Sequence, residues 1–278
     1  MSASRATGLT VVYILLLAAL VIFAFPFVLL FLNSFKDNGQ ILSSPFALPT
    51  SLDFGHFADA IDKMNFFVTF RNTFVITLFS VIFIVVFSAM SAHYMVRNGS
   101  GFNNSLFAVM VASMIIPFQS LMIPLIYIYG AKLQWIAHAP MLLLIVLYIG
   151  FGSALSIFIY HGFVKSIPLE LEEAAYIDGA TRKQTFFRVV LPMLAPTSAT
   201  IAILNVLWIW NDYLLPSLVL NEERLFTMPI KMKVFNGTYM NNWELLIPAI
   251  LLTVLPILIG YLFGQKFIIR GVMQGAIK

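Results

Sequence analysis

Six stretches of this chain are each long and apolar enough to cross a bilayer: Leu9–Phe31, Thr73–Met95, Leu106–Tyr129, Ala139–Tyr160, Ala195–Leu218 and Leu245–Phe263. A spanning helix needs about 20 predominantly apolar residues, because hydrocarbon offers no partner to an open backbone N–H or C=O. Four of the six carry no acid, base or histidine; the second holds His93 near its end and the fifth holds Asp212. Over 278 residues only 10% are charged and 60% are hydrophobic, with mean hydropathy +0.94. An ordinary soluble domain carries about 25% charged residues, so this chain cannot coat its apolar surface in water. The expected fold class is an all-α membrane protein with six transmembrane helices.

Arg5 precedes an apolar run far longer than the roughly 7–15 residues of a secretion signal, and no small-x-small site follows. Leu9–Phe31 is therefore read as a retained first span. Six spans place both termini on one side, together with the connection His161–Ala195. That side holds nine of the 16 Lys and Arg and the other side seven, which favours cytoplasmic termini and a multi-pass plasma-membrane protein. On the outside, Asn33–Asn72 contains Pro45, Pro49 and Gly55 and is expected to be extended with short helices. Asn221–Glu244 carries the turn signal NGTY. No repeat or flexible linker interrupts the chain. It is read as residues 1–69 (first helix and outer loop), 70–264 (main membrane domain) and 265–278 (cytoplasmic tail).

Several classes of chemistry are disfavoured. There is no cysteine, so no disulfide and no thiolate metal site. The net charge of +4 is spread over loops without a basic block, which argues against nucleic acid. Neither G-x-x-x-x-G-K-[ST] nor H-E-x-x-H occurs, and His56, His93, His138 and His161 are scattered. No catalytic residue, metal or cofactor is expected in this chain, and energy for any active process must come from another one.

The longest polar interruption in the C-terminal half is LELEEAAYIDGATRKQTFFRVVLP, Leu169–Pro192. Ser166 is a candidate cap, and Pro168 stands near the first helical position, where a missing N–H is harmless. Glu170, Glu172 and Glu173 suit the positive end of a helix dipole. Gly179 fits a helix-ending C′ glycine, and Thr181 with Gln184 fits a capping box that restarts the chain toward Pro192. The pattern is a helix–glycine–helix elbow on the cytoplasmic side, feeding the fifth span. An interfacial anchor is basic, with bulky apolar residues on its buried face. An acidic face with two small alanines instead suits a groove on a partner protein. The alternative is a plain interfacial connector.

The spacing Glu173-Ala174-Ala175, three residues, Gly179, nine residues, Val189, one residue, Leu191-Pro192 resembles the EAA loop of ABC importer permeases, with Val189 in place of the usual isoleucine. NSFK (Asn33–Lys36), LP (Leu48–Pro49), RNTFVIT (Arg71–Thr77), MIIPFQSLMIP (Met114–Pro124), WNDYLLP (Trp210–Pro216) and FIIRGVMQGAIK (Phe267–Lys278) are similar to the second permease of carbohydrate ABC importers of the maltose and multiple-sugar type. The resemblance covers nearly the whole chain. It implies a type I ABC importer transmembrane domain with a cytoplasmic EAA coupling helix. Glu173, Ala174, Ala175, Asp178, Gly179, Leu191 and Pro192 would carry the coupling. Glu173 would pair with a basic ATPase residue, the alanines would allow close approach, and Gly179 would make the bend. The implied partners are a second homologous permease, two ATPase subunits that bind ATP and Mg, an extracellular sugar-binding protein and membrane lipid, in a prokaryotic plasma membrane. The tail would reach toward the ATPase interface or end as a frayed terminus.

Inside the spans, Ser198, Asn205, Trp208 and Asp212 are spaced by 7, 3 and 4 and so share one helix face. Asn211 flanks that face, and Gln119 and Ser120 sit between Pro117 and Pro124. Amides, hydroxyls and flat aromatic faces are what a neutral sugar needs, so Gln119, Ser120, Asn205, Trp208, Asn211 and Asp212 are candidate substrate-path residues. Helix-to-helix hydrogen bonding is the competing role for the same groups. Alternatives to a sugar permease are an ABC permease for another solute, a lone secondary transporter and a scaffold. Embedded Lys or Arg, expected for an anion, is absent from the six spans. The internal repeat common in secondary transporters is also missing.

Overall fold

In the computed structural model, residues 3–235 and 242–276 are described, and they contain helices and turns but no strand. The helices run α1 Ala3–Asn33, α2 Asn38–Ser43, α3 Gly55–Met64, α4 Phe66–Arg97, α5 Gly101–Ser113, α6 Phe118–Leu125, α7 Trp135–His138, α8 Pro140–Val164, α9 Glu170–Ile177, α10 Arg182–Thr185, α11 Leu191–Met193, α12 Ala195–Asn211, α13 Leu214–Val219, α14 Met228–Lys231 and α15 Trp243–Ala276. Wider π turns cover Ile126–Lys132 and Phe186–Val190. The expected turn at Asn236–Tyr239 lies outside the described residues. So does the end of the expected tail, although the α15 backbone stays helical through Ala276.

Among the described residues, four helices are long and apolar enough to cross a membrane: Gly8–Asn33, Phe66–Arg97, Pro140–Val164 and Trp243–Gln265. The count reaches six if two bent pairs each make one span: Gly101–Ser113 with Phe118–Lys132 (98°) and Arg182–Met193 with Ala195–Asn211 (75°). The third and fifth expected spans are therefore not single straight helices. Before the first bend, the amides of Met114, Ile115 and Ile116 reach back only three residues, to Val111, Ala112 and Ser113. Pro117 then has no N–H to offer and disfavours a helical residue before it. The fifth expected span ends early, at Asn211. Asp212 is extended, and its Oδ1 accepts the Leu214 N–H at 2.9 Å, starting α13 in a new direction.

By internal contacts the chain forms two units, Met1–Phe67 with Lys231–Pro256, and Val68–Ile230 with Ile257–Lys278. In the first, α1 keeps nearly all its apolar side chains exposed, Phe23 at 76% and Ile22 at 68%. Lipid tails are as apolar as leucine, so such a surface is tolerable in a bilayer. After α1 the chain folds around a buried cation. Lys36 Nζ donates to Asn33 Oδ1 (2.9 Å), Ser44 O (3.0 Å) and Pro45 O (3.2 Å), which occupies all three of its protons. Burial lowers the pKa of this ammonium from 10.5. Asn38 Oδ1 accepts from the Trp243 and Glu244 amides, so a residue 205 positions away caps the start of α15.

The second unit packs α4, α8 and α12 around Ile84, Leu144, Leu147, Tyr148 and Ile209, and then around Ala92, Ile157, Tyr160, Val190 and Ile201. At the crossing, a Cβ on Gly152 would lie 2.6 Å from Ile84 Cδ1 and 2.7 Å from Asn205 Oδ1. Any larger residue there would have to displace both side chains.

Candidate functional site

The elbow forms as its residues dictate. Three carboxylates occupy the first turn of α9, where the exposed amides of the helix favour negative charge. The helix ends in a Schellman arrangement. Gly179 N–H donates to Tyr176 O (3.0 Å) and Ala180 N–H to Ala175 O (2.9 Å), with Gly179 at φ +83°. Thr181 and Gln184 then make the expected reciprocal capping box. Entry to the elbow differs from expectation. Ser166 does not cap α9; its hydroxyl donates backward to Phe163 O at 2.7 Å. The helix begins at Glu170, beyond Pro168, with Leu169 at the N-cap. Toward the fifth span the backbone widens into the π turn Phe186–Val190, closed by the Leu191 N–H bonding to Phe186 O. Pro192 accounts for the widening, since its ring cannot pack against the carbonyl four residues earlier in a regular α-helix.

One strong interaction escaped the sequence reading. Of the three acids, Glu170 and Glu173 are exposed, while Glu172 is only 2% exposed. Glu172 Oε1 accepts from Arg97 Nε at 2.8 Å, and Oε2 lies 2.9 Å from His93 Nε2. Arg97 Nη2 also donates to Ile167 O at 2.8 Å. The last turn of α4 thus grips both α9 and the strap leading into it. A cavity of about 370 Å³ opens beside this bracket, lined by Arg97, Glu172, Tyr176, Arg182, Lys183 and Phe186 among others. Glu173, Ala174, Asp178 and Gly179 all face outward, Ala175 and Leu191 are half-buried, and Pro192 is exposed. Glu172 thus holds the elbow from within, while Glu173, Ala174, Asp178 and Gly179 lie exposed. In sequence, no spacing rule links position 172 to positions 93 and 97.

The polar face of α12 meets α8. Tyr160 Oη donates to Ser198 Oγ (2.7 Å), Asn205 Nδ2 to Ser156 Oγ (3.2 Å) and to Ile201 O (2.9 Å), and Tyr148 Oη to Asp212 Oδ2 (2.9 Å). Positions 160, 156 and 148 on one helix pair with 198, 205 and 212 on the other, an antiparallel ladder. Asn205 is buried in it, and Trp208 stacks edge-on to Tyr148 at 5.4 Å. Asn211 is exposed, with Nδ2 donating to Leu207 O (2.7 Å). Gln119 and Ser120 are exposed on the first turns of α6. The six candidate path residues fall into two groups, one on α12 and its end, the other on α6. At the far end of α4, Asn72 Nδ2 donates to Arg224 O (2.9 Å) and Phe226 O (3.1 Å), and Thr73 Oγ1 accepts from Met228 N at 3.0 Å.

Residues 84–274, which include the elbow and the ladder, match the family described as binding-protein-dependent transport system inner membrane component. The chain belongs to that family. Among its relatives in the family is a probable starch degradation products transport system permease protein, AmyC, of Thermoanaerobacterium thermosulfurigenes. It is 37% identical, over 91% of each chain. The melibiose/raffinose/stachyose import permease protein MelC of Bacillus subtilis is 35% identical over the full length of both. A crystal structure of a bacterial ABC transporter involved in the import of the acidic polysaccharide alginate superposes with a TM-score of 0.78. That match covers 96% of this chain and 98% of the other at 23% identity, and it shows a shared fold. As an inner-membrane permease component the chain is a transport subunit, and its apolar helices are those of a multi-pass plasma-membrane protein.

Proposed function

We propose that this chain is one permease subunit of an ATP-driven oligosaccharide importer, with six spans and both termini in the cytoplasm. The observation that carries the reading is the elbow. An acidic, alanine-bearing helix is closed by a left-handed Gly179 and joined through a capping box to a membrane helix. In this reading α9 is the EAA coupling helix and inserts into a cleft of a cytoplasmic ATPase. Glu173 offers an exposed carboxylate to a basic residue there, and Ala174 and Ala175 let the two backbones approach. Closure of two ATPase subunits on ATP and Mg moves the elbow, and the bent fifth span follows. The other partners are a second, homologous permease and an extracellular binding protein that delivers the sugar. Relatives named for starch degradation products and for melibiose, raffinose and stachyose support oligosaccharides as the cargo.

Within the membrane, this reading assigns sugar contact first to the exposed groups Gln119, Ser120, Trp208 and Asn211. Asn205 and Asp212 hold α12 to α8 in this conformation and would meet a sugar only if the ladder opens.

The test is purification of the tagged chain from its own membranes, followed by reconstitution in vesicles with raffinose and maltotriose as probes. Co-purification of an ATPase and a second permease, with uptake that needs ATP, is the expected result. Uptake by the chain alone without ATP would refute the reading.

A further inference from the structure

Three observations converge on α4. Its Arg97 end is bracketed to the elbow by Glu172, His93 and the Ile167 carbonyl. Its opposite end is bonded to the segment Arg224–Met228 through Asn72 and Thr73. Between these clamps lies the one long helix among the described residues with neither proline nor glycine. By contrast α1 contains Pro26, α15 contains Pro248 and Pro256, α8 contains Gly150, Gly152 and Gly162, and the remaining two spans are bent. Sharp kinks concentrate at proline, at small-residue pairs and at π bulges. At 1.5 Å per residue, Asn72 and Arg97 stand about 37 Å apart along the axis.

We propose that α4 is a rigid connecting rod that carries displacement of the elbow to the segment Arg224–Met228. Glu172 and Arg97 are the positioning residues at the elbow end, and Asn72 and Thr73 those at the other. The inference rests on the elbow being the ATPase-coupling element and adds the route by which its motion leaves. Glu172 suits the task because it is buried and bidentate. The carboxylate cannot swing away without giving up its contacts to both Arg97 Nε and His93 Nε2, so α9 and the end of α4 move together. The Arg224–Met228 segment suits it because its carbonyls and an amide are held by a helix side chain at each point, so a shift of α4 drags its backbone directly. The neighbouring acids then divide their work: Glu173 faces the partner and Glu172 faces the rod.

The chain has no cysteine, so paired spin labels can be placed without background. The sample is the complete complex with its ATPase, in the apo form and trapped with ATP and vanadate. An inner pair at Ile177→Cys and Tyr94→Cys, 86% and 58% exposed, reports attachment of the elbow. An outer pair at Glu223→Cys and Leu133→Cys, both exposed, reports arrival of the motion. With the rod intact, trapping shifts the outer distance and leaves the inner distance narrow. Glu172→Gln broadens the inner distance, and Asn72→Ala leaves it unchanged. Each variant lowers the ratio of shifted to unshifted outer pairs by roughly 5–150-fold, the range of ordinary coupling between sites, while ATP hydrolysis continues. Sites this far apart normally act independently, yet the double variant should fall no further than the stronger single. An unchanged outer ratio in either single, or losses that multiply in the double, overturns the rod. Should Glu172→Gln not assemble, Arg97→Lys keeps the charge and removes the guanidinium fork, with the same expectations. Failure of both to assemble assigns the bracket to folding alone and likewise overturns the proposal. A wild-type chain that brings down no ATPase, or in which trapping moves neither pair, refutes the coupling reading itself.

Discussion

Replacing Gly179 isolates a backbone effect. Its φ is +83°, and a Cβ built there meets nothing within 4 Å, so an alanine suffers no clash with neighbours. What it suffers is local: an L-residue in the left-handed region costs about 1–2 kcal/mol. The cost falls on the turn held by Gly179 N–H to Tyr176 O and Ala180 N–H to Ala175 O. A change of that size moves an opening equilibrium by a factor of about 5–30. Gly179→Ala is therefore expected to speed hydrogen exchange of those two amides by about 5–30-fold. Gly179→Asn should do less, because asparagine tolerates the left-handed region. Gly179→Pro, with φ locked near −65°, cannot form the turn at all. The assay is hydrogen–deuterium exchange with peptide resolution across residues 175–182 in the detergent-solubilised complex, with ATP-driven uptake measured in parallel. Uptake should fall in the order Gly, Asn, Ala, Pro, while the thermal midpoint of the membrane unit stays unchanged. Exchange in Gly179→Ala equal to wild type, or a proline variant with normal uptake, would refute the argument.

Other expectations follow from the packing. Gly152→Val must displace the side chains of Ile84 and Asn205 and should destabilise the second unit by about 1–3 kcal/mol. Adding Ile84→Val removes the Cδ1 atom nearest the new Cβ, so a double variant no more stable in thermal unfolding than the Gly152→Val single would count against that clash. A double-mutant cycle of Tyr148→Phe with Asp212→Asn should return a coupling of about 0.6–1.7 kcal/mol, the range for hydrogen bonds between membrane helices; a coupling of zero would mean that the bond at 2.9 Å carries no weight. Lys36→Met removes three hydrogen bonds at once, and limited proteolysis should then cut within residues 44–54 faster than in wild type. Cleavage at the wild-type rate would show that the buried ammonium does not hold that segment.

The local features of the elbow were legible because they depend on neighbours in sequence. A glycine at C′ and a Thr-x-x-Gln box are satisfied within a few residues, whatever the rest of the chain does. Ser166 and Pro168 misled because the turn leaving α8 took the Ser166 hydroxyl for Phe163 O, so α9 began later. The shared face of Ser198, Asn205 and Asp212 was equally readable from the helical period. Its partners, Tyr160, Ser156 and Tyr148, were not, because nothing in a single helix names the residues that will cross it.

By itself, the sequence determined that the chain is helical and enters a membrane, since hydrocarbon leaves the backbone few ways to satisfy its own polar groups and composition excludes water as the solvent. It also determined where the elbow bends, since glycine, with no Cβ, reaches positive φ without steric cost. Tertiary structure decided which of three neighbouring glutamates turns inward, that Lys36 is a staple rather than a surface charge, and that two of the six expected spans are not single straight helices. A buried charge is tolerated only where partners converge on it. That convergence of Arg97 and His93 on Glu172, from a helix more than seventy residues earlier, exists only once the chain has folded.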